Sequence, residues 1–432
     1  MEADRRDFLK TAGAAALTTN IFTGNLKGAN DKVNAAFIGM GRMGQGNLQV
    51  AMKQENLAVS AVCDIYPPNL EKATSMANAN FPGVKSLRDF REVLADKSVD
   101  IVCIATPDHW HPYMMVEACK AGKDVYVEKP ICVTVEEGRK MVEAARKYKR
   151  VVQAGTQQRS GDHFKKAAEL IKAGEIGNVT FCRTWNYGNT PVEGIGNPPD
   201  GEPPAGLDWD MWLGPAPKRP FNANRFGVDP KQFSHFRWFW DYAGGMMTDW
   251  GVHLLDIVQM AFNEVMPKSV NTFGEKFRLK DNRETPDTIV ASYEYPGFLA
   301  TYENRYGNNN SLTLNNKSYG TTFHGDKGTL FIDRSEYQLF EEAKGAEPVI
   351  VKSGNNQNRA HWENFLACVK TREKPASDIE ICQRSTTTCL LANVSLRAKM
   401  RVDWDEKNWT VKQSEARKYL SRDERKPWKL VV

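Results

Sequence analysis

Apolar residues in the first third of the chain fall in short, nearly unbroken runs separated by amphipathic stretches. A buried parallel sheet with crossover helices produces this alternation. The runs at 32–38, 58–63, 100–105, 124–127 and 151–155 are predicted strands. Thr134 at an N-cap and Glu137 three residues on form a capping box, which opens a helix running to about 148. Periodicity then fades: 186–241 is irregular and rich in Pro, Gly and Trp, and so long a stretch without elements is usually functional. Beyond it, 246–262 is apolar almost all round and predicts one buried helix. Strands are expected at 288–295, 299–304 and 329–333, with a turn at Gly325-Asp326-Lys327-Gly328 and a helix opening at 361–365. No internal repeat or low-complexity tract is present.

Candidate chemistry sits where these elements end. The first strand runs into Gly39-Met40-Gly41-Arg42-Met43-Gly44, a GxGxxG turn placed between a strand and a helix. Gly39 permits the tight turn, Gly41 lets backbone approach a pyrophosphate, and Gly44 lets the helix pack on its strand. The helix N-terminus offers unpaired N–H groups to phosphates. Asp64 closes the second strand about 20 residues further on, where a carboxylate accepts ribose hydroxyls and repels a 2′-phosphate; this favours NAD over NADP. The third run ends at Thr106-Pro107-Asp108-His109-Trp110-His111-Pro112. Its Thr106, Pro107, His109 and His111 are read as a loop wall beside the cofactor, since neither histidine has a partner at metal-ligand spacing. Glu128-Lys129-Pro130 follows the fourth strand, and Gln157 the last. Lys129, pinned before a proline at a strand's carboxyl end, faces the same crevice as the glycine turn. In the predicted helix over 246–262, Asp249, His253 and Asp256 stand at i, i+4 and i+7, a polar stripe on an apolar helix.

Taken together, the glycine turn, the Ala105-Thr106-Pro107 loop and above all Glu128-Lys129-Pro130 resemble the glucose–fructose oxidoreductase/inositol dehydrogenase/MocA (Gfo/Idh/MocA) family, over a span from about residue 31 to the C-terminus. The resemblance implies an α/β fold: a doubly wound Rossmann sheet, then a larger α/β domain with an open, mainly antiparallel mixed sheet. It divides the chain into an export signal (1–30), an NAD-binding domain (31–155) and a substrate-binding and oligomerisation domain (156–432). It also implies a cis peptide before Pro130, and a homodimer or homotetramer formed through the open sheet face. By the resemblance, Lys129, Asp249 and His253 are catalytic, and Asp256, which has no assigned role, stands behind them. The NAD site then comprises Gly39, Met40, Gly41, Arg42, Met43, Gly44, Asp64, Thr106, Pro107, His109, His111, Glu128, Lys129 and Gln157. The substrate site comprises Lys129, Trp209, Trp212, Arg237, Trp238, Trp240, Asp249 and His253, since flat tryptophan faces suit sugar C–H faces.

The expected activity is hydride transfer between a carbohydrate hydroxyl carbon and tightly bound NAD, with C3 of a glycoside, giving a 3-keto sugar, one possibility. His253, oriented by Asp249, is expected as base and Lys129 as donor to the developing oxygen charge, though the two can exchange these roles. Two alternatives stand beside it: an NAD-dependent glycoside hydrolase working by transient C3 oxidation and elimination, and a catalytically silent NAD- or sugar-binding protein.

Composition narrows the rest. The 432 residues favour more than one domain, and 58 Lys+Arg against 53 Asp+Glu, without a basic block, give no reason to expect a nucleic-acid partner. The mixed-sign tail around 417–429 reads as a solvated face. No run of about 18 apolar residues predicts a membrane span. Eight cysteines without a CxxC pair read as structural, and no metal site is expected. Arg5-Arg6 followed by Phe8-Leu9 and the weakly apolar 11–17 resembles a twin-arginine export signal, with processing near 28–30 and no lipobox, since the first cysteine is Cys63. The expected location is periplasmic, with the twin-arginine machinery as a partner of the precursor; without that signal it is cytoplasmic.

Overall fold

The computed structural model describes residues 32–227, 234–311, 316–343 and 345–432. The expected export signal and its processing region lie outside the described residues. Six short strands, β1 (Val33–Ile38), β2 (Leu57–Cys63), β3 (Lys85–Leu87), β4 (Ile101–Ile104), β5 (Asp124–Val127) and β6 (Val152–Ala154), form one sheet in the order β3-β2-β1-β4-β5-β6. Every pairing is parallel, as apolar runs linked by helices demand. Strand order reverses between β1 and β4, and ligands of such sheets bind at the carboxyl ends beside that reversal. The capping box forms as read: Thr134 accepts from the Glu137 N–H and the Glu137 carboxylate accepts from the Thr134 N–H.

The second sheet has ten strands. Its members are β7 (Val179–Tyr187), then, after a small separate hairpin of β8 (Asp200–Gly201) and β9 (Phe221–Asn222), β10 (Ser269–Glu275), β11 (Thr288–Glu294), β12 (Leu299–Arg305), β13 (Tyr319–Gly325), β14 (Gly328–Ile332), β15 (Glu336–Glu341), β16 (Val349–Lys352), β17 (Val402–Asp405) and β18 (Thr410–Val411). The order is β16-β15-β14-β13-β7-β12-β11-β10-β17-β18, antiparallel throughout except where β7 meets β12. Alternation sets its two faces: Ile289, Ala291 and Tyr293 of β11 are buried, whereas Val290 and its neighbours Phe273 and Leu299 are exposed. The buried face packs on the helices Gly251–Ala261 and Ile379–Ala398.

The two halves interlock. The helix Gln357–Thr371, which opens four residues before the expected 361, packs on the parallel sheet. There Trp362 stacks on Tyr126 at 4.6 Å and donates to Asn47. The tail is anchored rather than solvated: Arg422 donates to the Glu137 carboxylate and to the carbonyls of His109 and Asp241, and buried Trp428 packs edge-on against Trp110. All eight cysteines are buried and unpaired. Among the described residues no helix is long and apolar enough to cross a membrane, and no cluster of His, Cys, Asp or Glu is arranged to hold a metal.

Candidate active site

β1 delivers the glycine turn to the reversal point. Gly39 has φ +85°, and a Cβ there would lie 2.6 Å from the Thr106 nitrogen. A Cβ on Gly44 would lie 1.9 Å from the Gly39 carbonyl oxygen, so the helix Arg42–Ala51 presses directly on the turn. Gly41 is that helix's N-cap and supplies no capping side chain, which leaves the first-turn N–H groups to a ligand. Asp64 closes the far side: its carboxylate accepts from the Met40 N–H at 2.6 Å and from the Tyr66 N–H at 2.8 Å. Burial pushes this carboxyl up to about 6 against those bonds. A backbone cradle that side chains would fill, with a carboxylate at its rim, fits the pyrophosphate and ribose of a dinucleotide.

From this turn a cavity of about 380 Å³ runs towards the second half of the chain. Lys129, next after Glu128 at the end of β5 and joined to Pro130 by a cis peptide, reaches into it. Its ammonium donates to the Asp249 carboxylate at 2.9 Å and to the Asp249 carbonyl at 3.1 Å. The same carboxylate oxygen accepts from Arg237 Nε at 2.9 Å. Burial alone would raise the Asp249 carboxyl; Lys129 and Arg237 outweigh it and hold it well below the usual carboxylate range. His253 lines the same cavity. Burial first, then Lys129 and Arg334, push its imidazole well below its ordinary value, so the ring is neutral at pH 7. Beneath Lys129, Glu128 is fixed by the Asn47 amide at 2.8 Å, and burial raises its carboxyl. A carboxylate-anchored ammonium beside a neutral imidazole can hold and move a proton at a hydroxyl placed between them.

The profile of the Gfo/Idh/MocA oxidoreductase family, NAD-binding Rossmann fold, matches residues 33–156, and that of the family's C-terminal α/β domain matches residues 185–430. The chain belongs to the Gfo/Idh/MocA family. Its N-terminal Rossmann fold is an NAD-binding one. A glycosyl hydrolase family 109 protein of Shewanella baltica is 32% identical over 167 residues, 33% of this chain; the match spans about a third (36%) of that relative's length. Aldose-aldose oxidoreductase from Caulobacter crescentus, solved with glycerol, aligns with a TM-score of 0.67 at 20% identity over 86% of this chain and 100% of its own. The WlbA dehydrogenase from Bordetella pertussis, solved with NADH and UDP-GlcNAcA, aligns with a TM-score of 0.65 at 18% identity over 87% of this chain and 99% of its own. These two likenesses establish the fold.

In this Gfo/Idh/MocA protein the cavity gathers many of the residues singled out from sequence. Gly39, Gly41, Arg42, Met43, Asp64, Thr106, Pro107, His111, Glu128, Lys129, Gln157, Trp212, Arg237, Asp249 and His253 line it. Met40 and Gly44 stand behind the lining and act through backbone. His109 does not reach the cavity: fully buried, it packs on Trp212 and Tyr242 and lies 3.0 Å from the Trp212 carbonyl. His111 instead ties the loop down, its ring nitrogens 2.7 and 2.8 Å from the carbonyls of Pro130 and Thr106. Three tryptophans lie elsewhere. Trp209 stacks on Trp212 at 4.7 Å and donates to the Arg219 carbonyl, Trp238 is buried beneath Arg283, and Trp240 sits in a separate shallow pocket beside Tyr419 and Arg397.

Two expectations about the polar stripe are corrected. The predicted helix is interrupted at Trp250, into Gly245–Asp249 and Gly251–Ala261, and no hydrogen bond joins Asp249 to His253; Nδ1 of His253 is buried without a protein partner. Asp256 does not stand behind His253. It takes a bidentate bond from Arg159 at 2.8–2.9 Å and one from Ser385, and so fixes the turn Gln157–Ser160 that carries Gln157. Sequence reasoning missed three charged residues of the cavity, Arg88, Asp108 and Arg334. Asp108 lay within a quoted motif, and burial pushes its carboxyl up to about 7. Arg334, in the turn between β14 and β15, carried no sequence signal.

Proposed function

We propose that this protein oxidises a hydroxyl-bearing carbon of a sugar or glycoside, with the Lys129–Asp249 ion pair and the neutral His253 handling the hydroxyl proton. The observation that carries the reading is the convergence of these three side chains on the cavity that begins at the glycine turn. NAD, when bound, supplies the acceptor for the hydride. Gly39, Gly41 and Gly44 shape its bed, the first-turn N–H groups face its phosphates, and Asp64 takes the ribose hydroxyls, which favours NAD over NADP. Lys129 has its ammonium oriented by the two acceptors of Asp249, so a remaining N–H is free to stabilise the developing oxygen charge. His253, neutral and lining the cavity, is the acceptor for the hydroxyl proton. Arg237 keeps Asp249 ionised and thereby keeps Lys129 in place.

The Shewanella relative favours a second reading on the same residues, in which oxidation at C3 is transient and acidifies C2–H so that an aglycone is eliminated. In either reading an exported enzyme retains its cofactor and recycles it within turnover. Incubating the NAD-loaded protein with a panel of glycosides, with products analysed by mass, separates the two. A keto-sugar supports the dehydrogenase, a free aglycone with unchanged NAD supports the hydrolase, and no change in any glycoside overturns both.

A further inference from the structure

The turn between β14 and β15 brings one guanidinium into the cavity. Arg334 lies over Trp250, its Cζ 4.7 Å from the ring centroid, and Trp250 in turn packs on Tyr319 at 5.0 Å. Both Arg334 and Trp250 line the cavity beside His253 and Asp249. A cation held over an aromatic face in this way keeps its N–H groups for hydrogen bonding. Those groups are unused: Nε is buried without a partner, and no described residue forms a hydrogen bond or ion pair with this side chain.

The nearest acids are committed elsewhere. Asp333, its chain neighbour, accepts from the N–H groups of Ser335 and Glu336, from the Ser335 hydroxyl and from Lys317, which closes the turn without engaging Arg334. Asp249 is shared by Lys129 and Arg237. Half-buried and without an ion pair of its own, Arg334 has its charge disfavoured by burial, which outweighs the support of Asp249 and lowers it from its ordinary value. A partly buried cation without a hydrogen-bonded partner is costly, and the cost is relieved when an anion binds.

We propose that Arg334 is a substrate-specificity residue that selects a sugar bearing an anionic group, through a bidentate contact to a carboxylate or a phosphate. The proposal rests on the sugar-oxidising reading above and adds the substrate's charge to it. Trp250 contributes as the surface over which the guanidinium lies; Lys129 and His253 remain at the reacting hydroxyl.

The test uses the full chain loaded with NAD and methyl glycosides of gluco, galacto and manno rings, each as the neutral sugar, the uronide and the 6-phosphate. Binding is measured by calorimetry, and turnover by product mass. At least one ring is expected to bind tenfold to a hundredfold tighter in an anionic form than in its neutral form, the scale of one charge-assisted hydrogen-bonded contact. Which anion is preferred identifies the source of the charge. Arg334→Met is expected to erase that ratio chiefly through KM, and Arg334→Lys, which keeps charge and loses the fork, to retain part of it. NAD content checks that each variant is folded, and Arg334→Gln replaces the Met variant if that fails. Equal binding of neutral and anionic partners in every ring, no binding of any anionic sugar, or a ratio that survives loss of the guanidinium overturns the proposal. Turnover of neutral sugars with no anionic preference defeats this inference alone, whereas failure to convert any sugar defeats the reading it rests on, with calorimetry still deciding the anion preference.

Discussion

Asp249 supports two cations, so its removal has a cost that the structure allows to be worked out. One carboxylate oxygen accepts from Lys129 and from Arg237, each at 2.9 Å, and the side chains are only 5–13% exposed. At an effective dielectric of about 20, each 2.9 Å contact is worth about 6 kcal/mol of gross attraction. Desolvation of three charges offsets much of that, by several kcal/mol per ion. Asp249→Asn keeps the shape and removes the carboxylate that both cations share, a loss of about 3–5 kcal/mol. Lys129→Met costs less, because Asp249 still has Arg237. In the double variant one of those two cations is gone, so part of the Asp249→Asn loss is recovered, a coupling of about 1.5–3 kcal/mol. Urea unfolding followed by tryptophan fluorescence at saturating NAD measures each corner of the cycle through its midpoint at constant m. Additivity within about 0.5 kcal/mol would show that the pair has no energetic reality and would refute the reasoning.

Three further outcomes are expected. His253→Ala lowers turnover by roughly two to four orders of magnitude and Lys129→Met by roughly two to three, with NAD content unchanged; turnover within about threefold of the parent for either places the chemistry elsewhere. NAD affinity rises with pH through about 6, because the raised Asp64 carboxyl must lose its proton to accept ribose hydroxyls, and titration by fluorescence quenching finds this step absent in Asp64→Asn. Replacing Arg5 and Arg6 together by lysine holds the precursor in the cytoplasm, as fractionation would show; an undiminished periplasmic yield counts against the export signal.

The parts of the molecule legible in sequence are those whose causes are local. Gly39 and Gly44 announce the turn because only glycine tolerates the positive φ of the first and the close approach of the second to the Gly39 carbonyl, constraints that act within six residues. Thr134 and Glu137 announce a helix start for the same reason, since the two bonds of the box close within one turn. The stripe of Asp249, His253 and Asp256 was visible as well, but spacing along a helix says which side chains share a face and not which partners await them. The pause at Trp250 separates Asp249 from His253, and the partner of Asp256 is Arg159, 97 residues earlier in the chain. Tryptophan content marked 186–241 as unusual without revealing aim: of the four tryptophans named there, Trp212 alone faces the cavity.

Arg334 stands at the opposite extreme from these local signals. A lone arginine in a hairpin turn has no periodic neighbours and no motif, and on sequence alone it belongs with the solvated charges. What distinguishes it is its place over Trp250 and the prior commitment of Asp333 and Asp249, and each of these depends on contacts between chain segments far apart in sequence. The lysine proposed to handle the proton follows a strand end in a fixed tripeptide, so it can be read locally; the group proposed to choose the substrate sits on a turn of the second sheet and gains its meaning only when that sheet is folded against the helix Gly251–Ala261. On the proposed reading, the dinucleotide cradle and Lys129 are encoded by short motifs at the carboxyl ends of parallel strands, and selectivity by long-range packing. Substitutions in the β14–β15 turn should accordingly alter which sugars bind while leaving the dinucleotide cradle intact.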